Sequence, residues 1–139
     1  MERSSGAAPP LSSGGSGEPG DGQTLTVRIE PAGSSASVVS LAGELDLSTI
    51  PRVEKQLLEQ VRSHQGVVLD LTNVSFIDSS GIALLIRAFR TTGDGGTVNT
   101  VIAEGSQVER VFRLAGIDRA LPLFTERAPA MDALNGAVD

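Results

Sequence analysis

The succession of strand-like and helix-like segments in this sequence predicts a single α/β domain. Its mixed sheet is expected to be mostly parallel, with an antiparallel first strand and helices packed on it. Three observations carry that prediction. Two segments of alternating apolar and polar residues, joined by a short turn, open the patterned region. A nearly unbroken apolar run, Val67-Val68-Leu69-Asp70-Leu71, follows the first helix-like segment, as in a strand buried on both faces. Helix-like and strand-like segments then alternate to the end, which implies right-handed crossovers between parallel strands. A length of 139 residues suits one such core.

Taken in order, 14 of the first 23 residues are Gly, Pro or Ser, too little apolar surface to offset chain entropy. Residues 1–23 are therefore expected to be a disordered tail, and residues 24–139 the folded domain. Leu25, Val27 and Ile29 alternate with Thr26, Arg28 and Glu30, a half-buried strand. After the turn Pro31-Ala32-Gly33-Ser34-Ser35, the run Val38-Val39-Ser40-Leu41 gives a second strand, antiparallel to the first. Ser48 or Thr49 can cap the helix that follows, and Pro51 suits its first turn. Val53, Leu57, Leu58 and Val61 form its inner face, and Gly66 ends it.

Beyond the central strand, Thr72-Asn73-Val74-Ser75 is expected to be a loop. Ile82, Leu85, Ile86 and Phe89 recur at helical spacing, and Gly93-Asp94-Gly95-Gly96 stops that helix. The next strand, Thr97 to Ala103, should carry Val98 and Ile102 on one face and Val101 and Ala103 on the other. Ser106 caps a third helix with Val108, Val111, Phe112 and Ala115 inward and Gly116 at its end. A short strand, Leu121 to Phe124, and a frayed helix, Ala130 to Leu134, complete the order ββαβαβαβα.

Composition excludes several chemistries. Without cysteine there is no disulfide, thiolate metal site or cysteine nucleophile. The single histidine, His64, lies in the polar run Arg62-Ser63-His64-Gln65 at an expected helix end, far from any candidate nucleophile. Net charge is −6 and only 3% of residues are aromatic, which disfavours nucleic acid and anionic membranes as direct partners. No secretory leader and no apolar run of about 20 residues is visible, so a cytoplasmic location is expected. No metal site and no catalytic residue emerge; an enzyme is not expected.

Two short blocks invite chemistry. Asp78-Ser79-Ser80-Gly81 stands between a strand and an amphipathic helix. Asp and Ser are favoured helix caps, because their oxygens accept the unpaired N–H groups of the first turn. The same geometry tolerates a phosphate, since a helix N-terminus offers donors and positive dipole charge. The turn also falls at the carboxyl edge of the sheet, where open α/β sheets place their sites. Gly43-Glu44-Leu45-Asp46 is the second block, with Asp46 suited to an Asx turn and Gly43 to a bulge. The carboxylates Glu44 and Asp46 alone are a weak signal for metal or acid–base work.

Together with Val68-Leu69-Asp70-Leu71 and Val74-Ser75-Phe76-Ile77, these blocks resemble the STAS-domain family of bacterial anti-anti-sigma factors, over about Thr24 to Leu134. Gly105-Ser106 and Phe112 to Ile117 resemble the family's third helix and its exit. The resemblance implies a STAS-type fold and an anti-sigma factor antagonist. Such a protein binds an anti-sigma factor that is also an ATP-dependent serine kinase, and so releases the sigma factor. It further implies phosphorylation at Ser79, which ends the complex, and a metal-dependent serine phosphatase that reverses it. Cofactors are none; ATP belongs to the partner kinase. Asp46, Asp78, Ser79, Ser80 and Gly81 are then the partner-binding residues. A STAS scaffold within a larger signalling assembly is the alternative, with the serine as a plain cap.

Overall fold

The computed structural model describes residues 24–92 and 96–138. Tail residues 1–23 and the helix stop at Gly93-Asp94-Gly95 lie outside the described residues. The elements are β1 (Leu25–Ala32), β2 (Ala36–Leu45), α1 (Ile50–Ser63), β3 (Gly66–Ile77), α2 (Ser79–Thr91), β4 (Thr97–Val101), α3 (Gln107–Ala115), a single 3-10 turn (Ile117–Arg119), β5 (Leu123–Phe124) and α4 (Arg127–Val138). The strands form one sheet in the order β1-β2-β3-β4-β5. β1 is antiparallel to β2 and every other pairing is parallel. The expected order and strand directions hold.

Two apolar clusters flank the sheet. On one face, Val53, Leu57 and Val61 of α1, Leu84, Leu85 and Ala88 of α2, and Val108 and Phe112 of α3 pack against Val39, Leu41, Val67 and Leu69. On the other, Ala130 and Leu134 of α4 cover Val38, Val68 and Val101. The predicted split of Val98 and Ile102 from Val101 matches these two faces.

β3 departs from expectation. Residues 72–75 continue the strand instead of forming a loop. Ser40 pairs with Asp70 but Ala42 with Asn73, and Gly43 pairs with Val74 but Glu44 with Phe76. β3 therefore carries one extra residue at each of two bulges. The core residues Val67, Leu69, Leu71, Val74 and Ile77 still share one face. Their spacing of two, two, three and three breaks the alternation that marks a strand in sequence.

The helices differ in detail. α2 buries Gly81, Leu84, Leu85 and Ala88, with Ile82, Ile86 and Phe89 only partly covered. Leu84 and Leu85 share the buried face with the small residues Gly81 and Ala88, and Ile82, Ile86 and Phe89 pack against the core from its margin. Ala115 of α3, expected inside, is exposed in the last turn before the left-handed Gly116 cap, and the chain returns to the core at Ile117. β5 is only two residues long, and α4 is longer than expected, starting at Arg127. Ser106 caps α3 as expected, its Oγ accepting from the Glu109 amide at 3.1 Å.

Arg127 fastens α4 to the sheet. Its guanidinium donates to Asp70 Oδ2 from Nη2 at 2.7 Å and from Nε at 3.1 Å, and to Ser40 Oγ at 3.0 Å. Thr72 donates to Asp70 Oδ1 from its amide at 2.9 Å and its hydroxyl at 2.7 Å. Burial pushes the Asp70 carboxyl up, but the bonds from Thr72 and Arg127 outweigh it and hold the group below the ordinary carboxylate range.

Candidate functional site at the carboxyl edge of the sheet

The ends of β2 and β3 meet at one edge, and α1 and α2 begin there. At the end of β3 the chain leaves the sheet through Asp78, whose extended backbone (φ −117°, ψ −172°) caps α2. Asp78 Oδ1 accepts from the amides of Ser80 at 2.9 Å and Gly81 at 3.1 Å. This satisfies two of the first-turn donors that a helix leaves unpaired. Ser79 is thereby the first helical residue. It is exposed, and its hydroxyl has no hydrogen-bond partner among the described residues. Ser80 is half-buried.

Gly81 is buried beneath this turn. A Cβ there would lie 2.6 Å from Ile77 Cγ1 and 2.8 Å from the carbonyl oxygen of Leu45. The absence of a side chain lets the first turn of α2 rest on the end of β2. The Asp78 amide also donates to the Leu45 carbonyl, at 3.3 Å.

Asp46 lies beside it, at the exit of β2. Its Oδ1 accepts from the Ser48 hydroxyl at 2.8 Å and from the amides of Ser48 at 3.0 Å and Thr49 at 3.2 Å, an Asx turn into α1. The Ser48 hydroxyl above all, then the two amides, hold the carboxyl below its ordinary range in spite of burial. Thr49 stands at the N-cap of α1 as expected, but its side chain makes no capping bond there. The Thr49 hydroxyl instead donates to the Glu44 carbonyl at 2.7 Å and accepts from the Asp46 amide at 3.0 Å. The two turns touch: the Leu47 amide lies 3.4 Å from Asp78 Oδ2.

The structure therefore brings Asp46, Asp78, Ser79, Ser80 and Gly81 to one edge. A shallow concavity lined by Asp46, Leu47, Ser48, Phe76 and Asp78 opens beside the serine. Leu47 and Phe76 are exposed apolar residues that sequence patterning did not single out. Phe76 follows the second bulge of β3, and only the pairing register shows that it points away from the core.

Gln107, also missed, fills a gap in the ladder. β4 pairs with β3 only as far as Asp70. At Ile77, just before the capping Asp78, the side chain of Gln107 takes the place of a strand. Its Oε1 accepts from the Ile77 amide at 2.9 Å, and its Nε2 donates to the Ile77 carbonyl at 3.1 Å.

His64 caps the far end of α1, with Nδ1 3.0 Å from the Gln60 carbonyl oxygen. The full length of β3 separates it from Ser79. Among the described residues, no group of three or more His, Cys, Asp or Glu side chains could hold a metal ion. No helix among them is long and apolar enough to cross a membrane.

This fold and edge define a STAS domain: the family model for that domain matches residues 28–130, and the chain belongs to the family. A curated relative, the anti-sigma-F factor antagonist RsfB of Mycobacterium tuberculosis (strain ATCC 25618 / H37Rv), is 30% identical over 117 residues, spanning 84% of this chain and 93% of the relative. The anti-sigma F factor antagonist of Paenibacillus polymyxa is 28% identical over 99 residues, 70% of this chain and 85% of that one. Among solved structures, an anti-sigma factor antagonist from Mycobacterium paratuberculosis superposes with a TM-score of 0.75 at 28% identity, covering 81% of this chain and 95% of that one. Unphosphorylated SpoIIAA shares the fold, with a TM-score of 0.64 at 23% identity over 80% of this chain and 97% of its own.

Proposed function

We propose that this protein is an anti-sigma factor antagonist switched off by phosphorylation at Ser79. Unmodified, it binds an anti-sigma factor serine kinase through the edge formed by Asp46, Asp78, Ser79 and Ser80, with Gly81 setting the height of the turn, and the sigma factor is released. The kinase holds ATP; this chain supplies the acceptor. The Ser79 oxygen bonds to the γ-phosphorus as the bond to the β-phosphate oxygen breaks, ADP leaves, and the hydroxyl proton is lost. A serine phosphatase hydrolyses the ester and restores the binding form. All of this takes place in the cytoplasm, without direct contact to nucleic acid or membrane, and this chain performs no catalysis.

The observation that carries the proposal is the Ser79 hydroxyl: exposed, unpartnered among the described residues, and at the first position of α2. A cap needs a serine one residue earlier, and Asp78 already does that work. A phosphoserine at this position adds about −1.5 to −2 charges. A like charge about 4 Å away is worth about 4 kcal/mol at an effective dielectric near 20. About 2.7 kcal/mol changes an affinity a hundredfold. A phosphate that meets a carboxylate of the partner there, or that no longer fits a contact shaped for a hydroxyl, is therefore enough to end binding without refolding.

The test is intact-mass measurement after incubation with each anti-sigma factor kinase of the cell that makes this chain, plus ATP. One phosphate on the native protein and none on Ser79→Ala is the expected result. A kinase that binds the protein yet adds no phosphate would return Ser79 to a plain surface residue.

A further inference from the structure

We infer that Leu47 and Phe76 form the apolar anchor of the partner-binding edge, and that the partner meets them with an apolar pocket rimmed by arginine or lysine. The inference rests on the proposed antagonist role and adds to it the chemistry of the partner's surface. Among the described residues four large hydrophobics are exposed: Ile29, Leu47, Phe76 and Leu114. Two of the four line the one concavity that also carries Asp46 and Asp78. Leu47 is 74% exposed and Phe76 41%.

Neither exposure is incidental to the fold. Leu47 sits in a turn whose backbone is held at both ends, by the Asx turn of Asp46 and by the contact of its own amide with Asp78. Phe76 is displaced outward by the bulge that separates the Glu44–Phe76 pair from the Gly43–Val74 pair. Both side chains are thus presented on fixed backbone, which lowers the ordering cost of binding. Flanking carboxylates and a net charge of −6 select a basic rim on the partner. Apolar anchors govern how slowly a complex separates, whereas rim charges govern encounter and salt dependence.

The experiment is binding kinetics against each purified anti-sigma factor of the cell that makes this chain, with wild type, Leu47→Ala, Phe76→Ala, Leu47→Met, Leu114→Ala and Ser79→Glu, the last placing a negative charge at the proposed phosphorylation site. Truncating Leu47 or Phe76 should weaken binding by about tenfold or more, through faster dissociation, with the salt slope unchanged. Leu47→Met should keep most of the affinity, and Leu114→Ala, at the far end of α3, should bind as wild type. Melting curves guard against loss of fold; Leu47→Ala, at so exposed a position, should melt as wild type. Wild-type affinity in both truncations, with binding still lost in Ser79→Glu, would overturn the anchor and leave the antagonist role standing. An equal loss in Leu114→Ala would also overturn it. Failure of the wild type to bind any anti-sigma factor would sink both.

Discussion

Asp78 does two jobs with its two oxygens. Oδ1 closes the first turn of α2, and Oδ2 faces the Leu47 amide of the neighbouring turn. Asp78→Ala should cost about 1 kcal/mol of stability, the usual worth of an N-cap, whereas Asp78→Asn should cost less than about 0.5. Urea unfolding of the two variants measures the difference. Ser79→Ala should change stability by less than about 0.5 kcal/mol, since the side chain is exposed and unpartnered among the described residues. Gly81→Ala should be the damaging change in this block, at about 1–3 kcal/mol, because its Cβ would press on Ile77 and on the Leu45 carbonyl. Asp78-Ser79-Ser80-Gly81 was legible in sequence because small capping residues before an apolar helix have a known use. Gln107 was not: a glutamine that stands in for a strand has no local signature, and its partner lies 30 residues away.

At the scale of elements, the bulged end of β3 and the Asp70–Arg127 tie matter most. An Asp whose folded pKa is lowered contributes stability that is complete above its unfolded value of about 3.9 and is lost as pH falls through the folded value. Arg127→Gln removes part of that lowering. The variant should be about 1–3 kcal/mol less stable at neutral pH, toward the lower end because Arg127 is half-exposed. The gap should close as pH falls below about 4, and unfolding curves at several pH values measure it. Helices and hairpin were readable from periodicity, since one face of each is apolar. The loop expected at residues 72–75 failed because two bulges change the spacing of core residues from two to three. The apolar spacing of α2 located the helix, with Leu85 buried and Ile82, Ile86 and Phe89 packed against the core, but it did not show Gly81 and Ala88, which are too small to weigh in an apolar pattern and are buried with Leu84.

At the scale of the whole molecule, three helices cover one face of the sheet and, among the described residues, α4 covers the other. The serine lies at an edge, outside both cores. Phosphorylated protein should therefore keep the circular dichroism spectrum of the unmodified form and melt within about 2–4 °C of it, the shift that follows from a change below about 0.5 kcal/mol in a domain of this size. Loss of secondary structure on phosphorylation would contradict a switch that works by surface charge alone. Strand order and direction were legible because alternation of strands and helices leaves few topologies. How close Asp46 comes to Asp78 was not, since it depends on where β2 and β3, distant in sequence, each end.

The Ile77 amide, held by a side chain where a neighbouring strand has run out, has a consequence for solvent exchange. Amides in a ladder exchange when strands part; this one exchanges when Gln107 changes rotamer or the start of α3 lifts. Hydrogen-exchange protection at Ile77 is thus a gauge, placed two residues before the serine, of whether α3 is seated.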